Sequence, residues 1–173
     1  MKKCLFTLLC LIIFQVSSAK AIIITYNATD LGSGLWQYDY YVSDYDFNAD
    51  YGFQIFFEYG LYENITPVSS PSDWDVIAYD PDVIFGSPDD GAYDALALVD
   101  GASLAESFSV QFNWLGTGNP NGQYFEVYDS DYAFVDSGES VPGTAPVPEP
   151  TTMVLLGTGL IGLAGYRKKI KKS

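Results

Sequence analysis

The clearest pattern in the chain is Phe108-Ser109-Val110-Gln111-Phe112-Asn113-Trp114, where apolar and polar residues alternate strictly. Successive side chains of a strand point to opposite faces, so this run predicts a β-strand with one buried face. The same period recurs through the middle of the chain. Phe53, Ile55 and Phe57 alternate with Gln54, Phe56 and Glu58, and Trp36, Tyr38, Tyr40 and Val42 share one strand face. Further strands are expected at Ile22–Tyr26, Asp73–Tyr79, Ala95–Val99, Gln123–Tyr128 and Tyr132–Val135. Turn clusters separate them: Gly32-Ser33-Gly34, Pro67 to Ser72, Gly86 to Gly91 and Gly116 to Gly122. About eight short strands rich in Tyr, Phe, Ile and Val predict an all-β fold, an antiparallel β-sandwich, over residues 22–137. Ala92–Leu104 has room for one short helix, although Asp94, Asp100 and Gly101 count against it. Residues 138–147 are rich in Pro, Gly, Ser and Thr and read as a linker.

The two ends depart from this pattern. Met1-Lys2-Lys3 precedes an apolar run from Cys4 to Val16, followed by Ser17-Ser18-Ala19-Lys20-Ala21. A charged start, a short apolar stretch and small residues predict a signal peptide over residues 1–21. Cleavage is expected after Ala19 or Ala21, with the Sec translocon and signal peptidase as partners. At the other end, an apolar stretch to Tyr166 leads into Arg167-Lys168-Lys169-Ile170-Lys171-Lys172-Ser173. As a helix, residues 151–166 span about 21–24 Å, short of a hydrocarbon core of about 30 Å. Snorkelling Lys and Arg side chains make up the difference. The cationic block then stays in the cytoplasm and the domain lies outside.

Charge sharpens the division. All 8 basic residues lie at the ends, and all 22 acidic residues lie between Asp30 and Glu149. The middle of the chain has no Lys, Arg or His. Without cations it cannot neutralise phosphates, which excludes nucleic acid and anionic head groups as partners. Each carboxylate must be solvated, hydrogen-bonded or bound to a cation. The absence of His, with Cys4 and Cys10 both in the leader, removes Ser-His-Asp, Cys-His and His-based zinc chemistry from the domain.

Two kinds of candidate site remain. Asp44, Asp46, Asn48 and Asp50 place oxygen ligands at alternate positions, as calcium loops do. Ala49 replaces the turn glycine of an EF-hand loop, and Ile55 replaces its bidentate Glu. Asp89 and Asp90, near Asp80, Asp82 and Asp94, form a second acidic group. The competing reading is turns whose Asp residues face water or cap backbone. Calcium is accordingly the only cofactor to consider. Aromatic rings stack on sugars and carboxylates accept hydroxyl hydrogen bonds, so Trp36, Tyr38, Tyr40, Tyr41 and Tyr45, set among Asp residues, are candidates for glycan binding. Cross-strand aromatic pairing is the alternative. Paired carboxylates also raise a secreted glycoside hydrolase as a third class. Gly157-Thr158-Gly159-Leu160-Ile161-Gly162 has dinucleotide-binding spacing but sits in the apolar tail, outside any βαβ unit, and carries no weight.

The order Pro148-Glu149-Pro150, apolar helix and basic terminus resembles the PEP-CTERM sorting signal of Gram-negative bacteria. The resemblance covers residues 148–173 and implies processing by an exosortase near the Pro-Glu-Pro motif. It also implies transient anchoring in the inner membrane, then the cell surface or extracellular matrix, in association with exopolysaccharide and biofilm. The run Trp36-x-Tyr38, Gly52-Phe53-x-Ile55, Asp90-Gly91-x-Tyr93-Asp94 and Trp114-Leu115-Gly116 is similar to uncharacterised ectodomains of such proteins, which implies no activity. The expectation is a non-enzymatic exported surface or matrix protein, with a calcium-dependent carbohydrate-binding module as the alternative.

Overall fold

The computed structural model describes residues 21–143. They form twelve strands: β1 Ile23–Gly32, β2 Leu35–Ser43, β3 Gly52–Phe57, β4 Tyr62–Ser69, β5 Trp74–Tyr79, β6 Asp82–Ile84, β7 Ser87–Asp89, β8 Gly91–Ala97, β9 Phe108–Trp114, β10 Tyr124–Tyr128, β11 Phe134–Glu139 and β12 Val141–Pro142. Among the described residues there is no helix. The expected signal peptide, sorting motif, C-terminal helix and basic tail lie outside them.

One five-stranded sheet has the order β12-β1-β2-β9-β4, and a second has the order β11-β10-β3-β8-β5. The hairpin β6-β7 stands apart and turns through Phe85 and Gly86, both at positive φ (52° and 83°). The alternation read from the sequence decides which side of each strand is inside. Tyr38, Tyr40, Phe108, Val110 and Phe112 point inward from the first sheet, and Phe53, Ile55, Tyr93 and Val127 from the second; all are fully buried. The faces meet through aromatic rings. Phe53 packs edge-on to Phe108 at 5.0 Å, Phe57 lies 5.5 Å from Phe112, and Trp74 lies 5.0 Å from Phe108. Each such pair contributes about 0.5–1.5 kcal/mol beyond the transfer of its apolar area from water. The result is sandwich-like, as the pattern predicts.

Four features differ from the sequence expectation. There are more strands than about eight, because β4, the β6-β7 hairpin and β12 are added. β4 was hidden by two register shifts against β9, between Glu63 and Thr66 and between Pro67 and Ser69, which scramble its alternation. Pro67 is tolerated there because β4 is an edge strand. The Ala92–Leu104 stretch contributes β8 and not a helix, since its inner positions pack between β3 and β5. The sheets are not wholly antiparallel, because β12 pairs parallel to β1, Thr25 with Val141 and Tyr26 with Pro142. Paired backbone therefore continues to Pro142, through residues whose composition suggests linker. The Ser140 N–H donates to the Gln123 carbonyl and the Gln123 N–H to Ser140 Oγ, each at 2.8 Å, and these contacts hold the segment.

Candidate functional site

The glycan-binding expectation for β2 is corrected by burial. Trp36, Tyr38 and Tyr40 lie in the core, with both tyrosines fully buried. Tyr38 stacks on Tyr26 at 4.5 Å and donates its hydroxyl hydrogen to the Pro120 carbonyl at 2.7 Å. The Tyr40 hydroxyl donates to Gln123 Oε1 at 2.7 Å. No sugar ring reaches these faces. Tyr41 is exposed on the outer side of β2, while Tyr45 is half-buried with its ring 4.6 Å from Phe47. Burial raises the Tyr45 hydroxyl pKa above its ordinary value.

The calcium-loop expectation meets a different organisation. Asp44, Asp46, Asn48 and Asp50 lie in the β2–β3 connection, all exposed. The loop is anchored by Phe47, which is fully buried and packs against Trp74 at 4.9 Å and Phe53 at 6.0 Å. Its backbone is tied down as well: the Phe47 carbonyl accepts from Gly101 N–H, the Ala49 N–H donates to Asp100 Oδ1, and the Asp50 N–H donates to the Ala97 carbonyl. Asp44 and Asp50 take positive φ, 61° and 66°, as turn residues. Asp89 faces Asp82 across the β6-β7 hairpin, and Asp90 Oδ1 accepts from Tyr59 N–H at 2.8 Å. Among the described residues no three Asp or Glu side chains are gathered closely enough to hold a metal ion. Self-repulsion among 21 carboxylates with no Lys or Arg in residues 21–143 remains to be screened. Sodium chloride and calcium chloride at matched ionic strength should therefore raise the melting temperature equally. A selective calcium effect at low concentration, lost in Asp44→Asn with Asp46→Asn, would restore the metal loop.

The outer face of the second sheet carries the most organised exposed chemistry. Pairing aligns Glu126 of β10, Gln54 of β3, Asp94 of β8 and Ile77 of β5 in one row. The Gln54 amide donates to Asp94 Oδ2 and, at 3.3 Å, to the Tyr79 hydroxyl. The Tyr128 hydroxyl donates to Asp94 Oδ1 at 2.7 Å. Burial, then the bond to Asp94, pushes the Tyr128 hydroxyl pKa well above its usual range. Gly52 permits this arrangement, since a Cβ there would collide with the Tyr128 ring. Tyr132, at φ 59°, stacks on Tyr128 at 5.4 Å, in a loop held by Asp129 Oδ1, which accepts from Asp131 and Ala133 N–H.

The neighbouring row brings Phe56 and Tyr79 level with Ala92, and Tyr124 lies beside Phe56 at 5.8 Å. A cleft of about 710 Å³ opens against Phe56 and Tyr124, with Glu58, Asp90 and Glu139 also lining it. A smaller cleft of about 200 Å³ opens against Tyr128, Tyr132 and Phe134. Glu126 lines both. Apart from Asp90 and Asp94, which the sequence offered only as part of an acidic group, these residues were not singled out from the sequence. The signal was present in the alternation that buries Phe53, Ile55 and Phe57: it sends Gln54 and Phe56 outward, and an aromatic on an outward position is the informative anomaly.

The first sheet differs on its outer side. Gln37 donates to Asp39 at 3.0 Å, Ser109 to Asp39 at 2.6 Å, and Gln111 to Gln37 at 3.0 Å. These polar groups bond one another along β2 and across to β9.

An all-β, sandwich-like domain followed by a separate C-terminal address defines an exported, membrane-transiting protein. The address is a PEP-CTERM protein-sorting motif, matched at residues 146–169. That motif supports reading the chain as a PEP-CTERM-containing exosortase substrate. No curated protein and no solved structure matches the chain.

Proposed function

We propose that the protein is a non-enzymatic component of the cell surface or extracellular matrix, held in or on exopolysaccharide after exosortase processing. The observation that carries this reading is the sorting motif at residues 146–169, behind a domain that ends its pairing at Pro142. Export begins through the Sec translocon, with signal peptidase cutting after Ala19 or Ala21. The apolar C-terminal segment then holds the precursor in the inner membrane until cleavage near Pro148, Glu149 and Pro150. The domain's composition supports a structural or binding role, since residues 21–143 contain no His, Cys, Lys or Arg. A uniformly acidic surface also keeps copies of the domain apart and soluble.

Replacing Pro148 and Pro150 by Ala should leave the precursor in the inner-membrane fraction. The extracellular form of the wild-type protein should lack Arg167–Ser173 by mass spectrometry of its termini. Recovery of those residues from the extracellular protein would overturn the processing scheme, and unchanged release of the double variant would separate sorting from the Pro-Glu-Pro motif.

A further inference from the structure

We propose that the outer face of the second sheet binds an uncharged polysaccharide chain. Pyranose rings stack on Tyr124, Phe56 and Tyr79, and their hydroxyls bond to Gln54, Asp94 and Glu126. This names the ligand and site behind the matrix-associated reading, and it rests on that reading only for its biological setting.

Tyr79 and Tyr124 are 47% and 44% exposed on a sheet whose inner face already forms the core. Outer positions of a sandwich strand are ordinarily polar, and clustered apolar surface marks an interaction site. Neighbouring strands lie about 4.8 Å apart, so Tyr124 on β10 and Tyr79 on β5 bracket a platform about 14 Å wide. Phe56 lies between them, and Ala92 keeps the intervening floor low. A row of aromatic faces at this scale matches the repeating apolar faces of a sugar chain, and the cleft of about 710 Å³ beside Tyr124 gives the chain depth.

Gln54 and Asp94 are bonded to each other and braced by the Tyr79 and Tyr128 hydroxyls. Polar groups already held in place lose little freedom when a ligand arrives. A carboxylate accepts hydrogen bonds from hydroxyls, and a carboxamide donates to ring and hydroxyl oxygens. Glu58, Asp90, Glu126 and Glu139 line the cleft, and no Lys or Arg occurs in residues 21–143. A uronate or sulfated polymer would meet like charge with nothing to offset it, which selects a neutral chain. The outer face of the first sheet lacks the aromatic row, since its paired outer positions Gln37–Gln111 and Asp39–Ser109 are polar and offer no ring to stack on.

The test uses the purified full-length chain in a polyoxyethylene detergent, so sorting does not enter it and the sugar head groups of other detergents do not compete. Retention is measured by affinity electrophoresis in gels containing cellulose derivatives without charge, mannan, dextran or galactan, with alginate as the anionic arm. Retention by at least one neutral polymer is expected, with little or none by alginate. Tyr79→Ala with Tyr124→Ala should weaken it about tenfold or more, as loss of two aromatic anchors does. Tyr124→Phe should keep most of it, and Tyr41→Ala on the opposite sheet should change nothing. Both tyrosines are partly exposed, so an unchanged melting temperature verifies that the fold is intact. Absence of retention by every neutral polymer would overturn the proposal. So would undiminished retention of the double variant, or alginate binding as tight as the neutral arm. The Pro148 and Pro150 variants report on sorting alone, so either reading can fail without the other.

Discussion

Alkaline pH should unfold the domain cooperatively, between about pH 11 and 13. The cause is a set of buried phenols. Tyr38, Tyr40 and Tyr93 are fully buried and Tyr128 nearly so. Burial is the main reason that each has its hydroxyl pKa pushed well above the tyrosine range; nearby Tyr26 adds to it for Tyr38, and Asp94 for Tyr128. The Tyr93 hydroxyl has no hydrogen-bond partner among the described residues, so none of them stabilises its anion. Below a pH of about 10 the folded and unfolded chains both hold these protons, and stability is undiminished. Above it the unfolded chain releases protons that the fold retains. Each such tyrosine then removes about 1.4 kcal/mol per pH unit, until its folded-state pKa is reached. Four together remove about 5–6 kcal/mol per unit, against a total stability of roughly 5–15 kcal/mol for a domain. Phenolate absorbance and circular dichroism should change together in one steep transition. Tyr40→Phe should reduce its steepness by about 1.4 kcal/mol per pH unit. Smooth titration of every tyrosine near pH 10, with unchanged circular dichroism, would contradict the burial argument.

Gln123→Ala should be the most damaging single polar substitution, at about 3–4 kcal/mol. Gln123 is almost completely buried, and its carboxamide joins three parts of the sandwich. Its Oε1 accepts from the Tyr40 hydroxyl at 2.7 Å, and its Nε2 donates to the Tyr62 hydroxyl at 3.1 Å and the Asn121 carbonyl at 2.8 Å. Its backbone exchanges bonds with Ser140, just before β12. Truncation leaves the Tyr40 hydroxyl buried without an acceptor, which costs about 1–3 kcal/mol, and opens a cavity as well. The melting temperature should fall by roughly 10–20 °C. Adding Tyr40→Phe should cost less than the sum of the single changes, because the orphaned hydroxyl is gone. A loss below about 1 kcal/mol would show that the network does not hold this end of the fold.

The two predictions rest on residues that differ in how visible they are in the sequence. Tyr38 and Tyr40 announce their burial through the alternation with Trp36 and Val42. The same alternation decided against them as sugar-stacking residues, a conclusion that their Asp neighbours obscured. Gln123 carried a weaker signal: the expected strand puts it on the face of Phe125 and Val127, but a polar residue at the strand's start gives no sign of its partners, which are distant in sequence. Asp44 to Asp50 show a different limit of the sequence. Ligand-like spacing along the chain says nothing about convergence in space, and Phe47 in their midst was the better guide, since a buried ring fixes the path of the loop. The platform on the second sheet was half legible. Phe56 among alternating core residues was an anomaly, but its partners Tyr79 and Tyr124 come from strands distant in sequence.

The sequence by itself determined the all-β class, the inward faces of the regular strands, the cation-free acidic domain and the C-terminal sorting address. Those properties depend on local periodicity, composition or a contiguous motif, and neighbouring residues carry all of that information. The tertiary structure alone decided the strand order, the parallel β1–β12 pair, the bulged edge strand β4, the Gln123 network and the joining of Gln54, Asp94, Tyr79 and Tyr128 on one face. Each of these depends on which distant strands pair and in what register. Register is set by the packing of two complete sheets against each other, and no single strand encodes it.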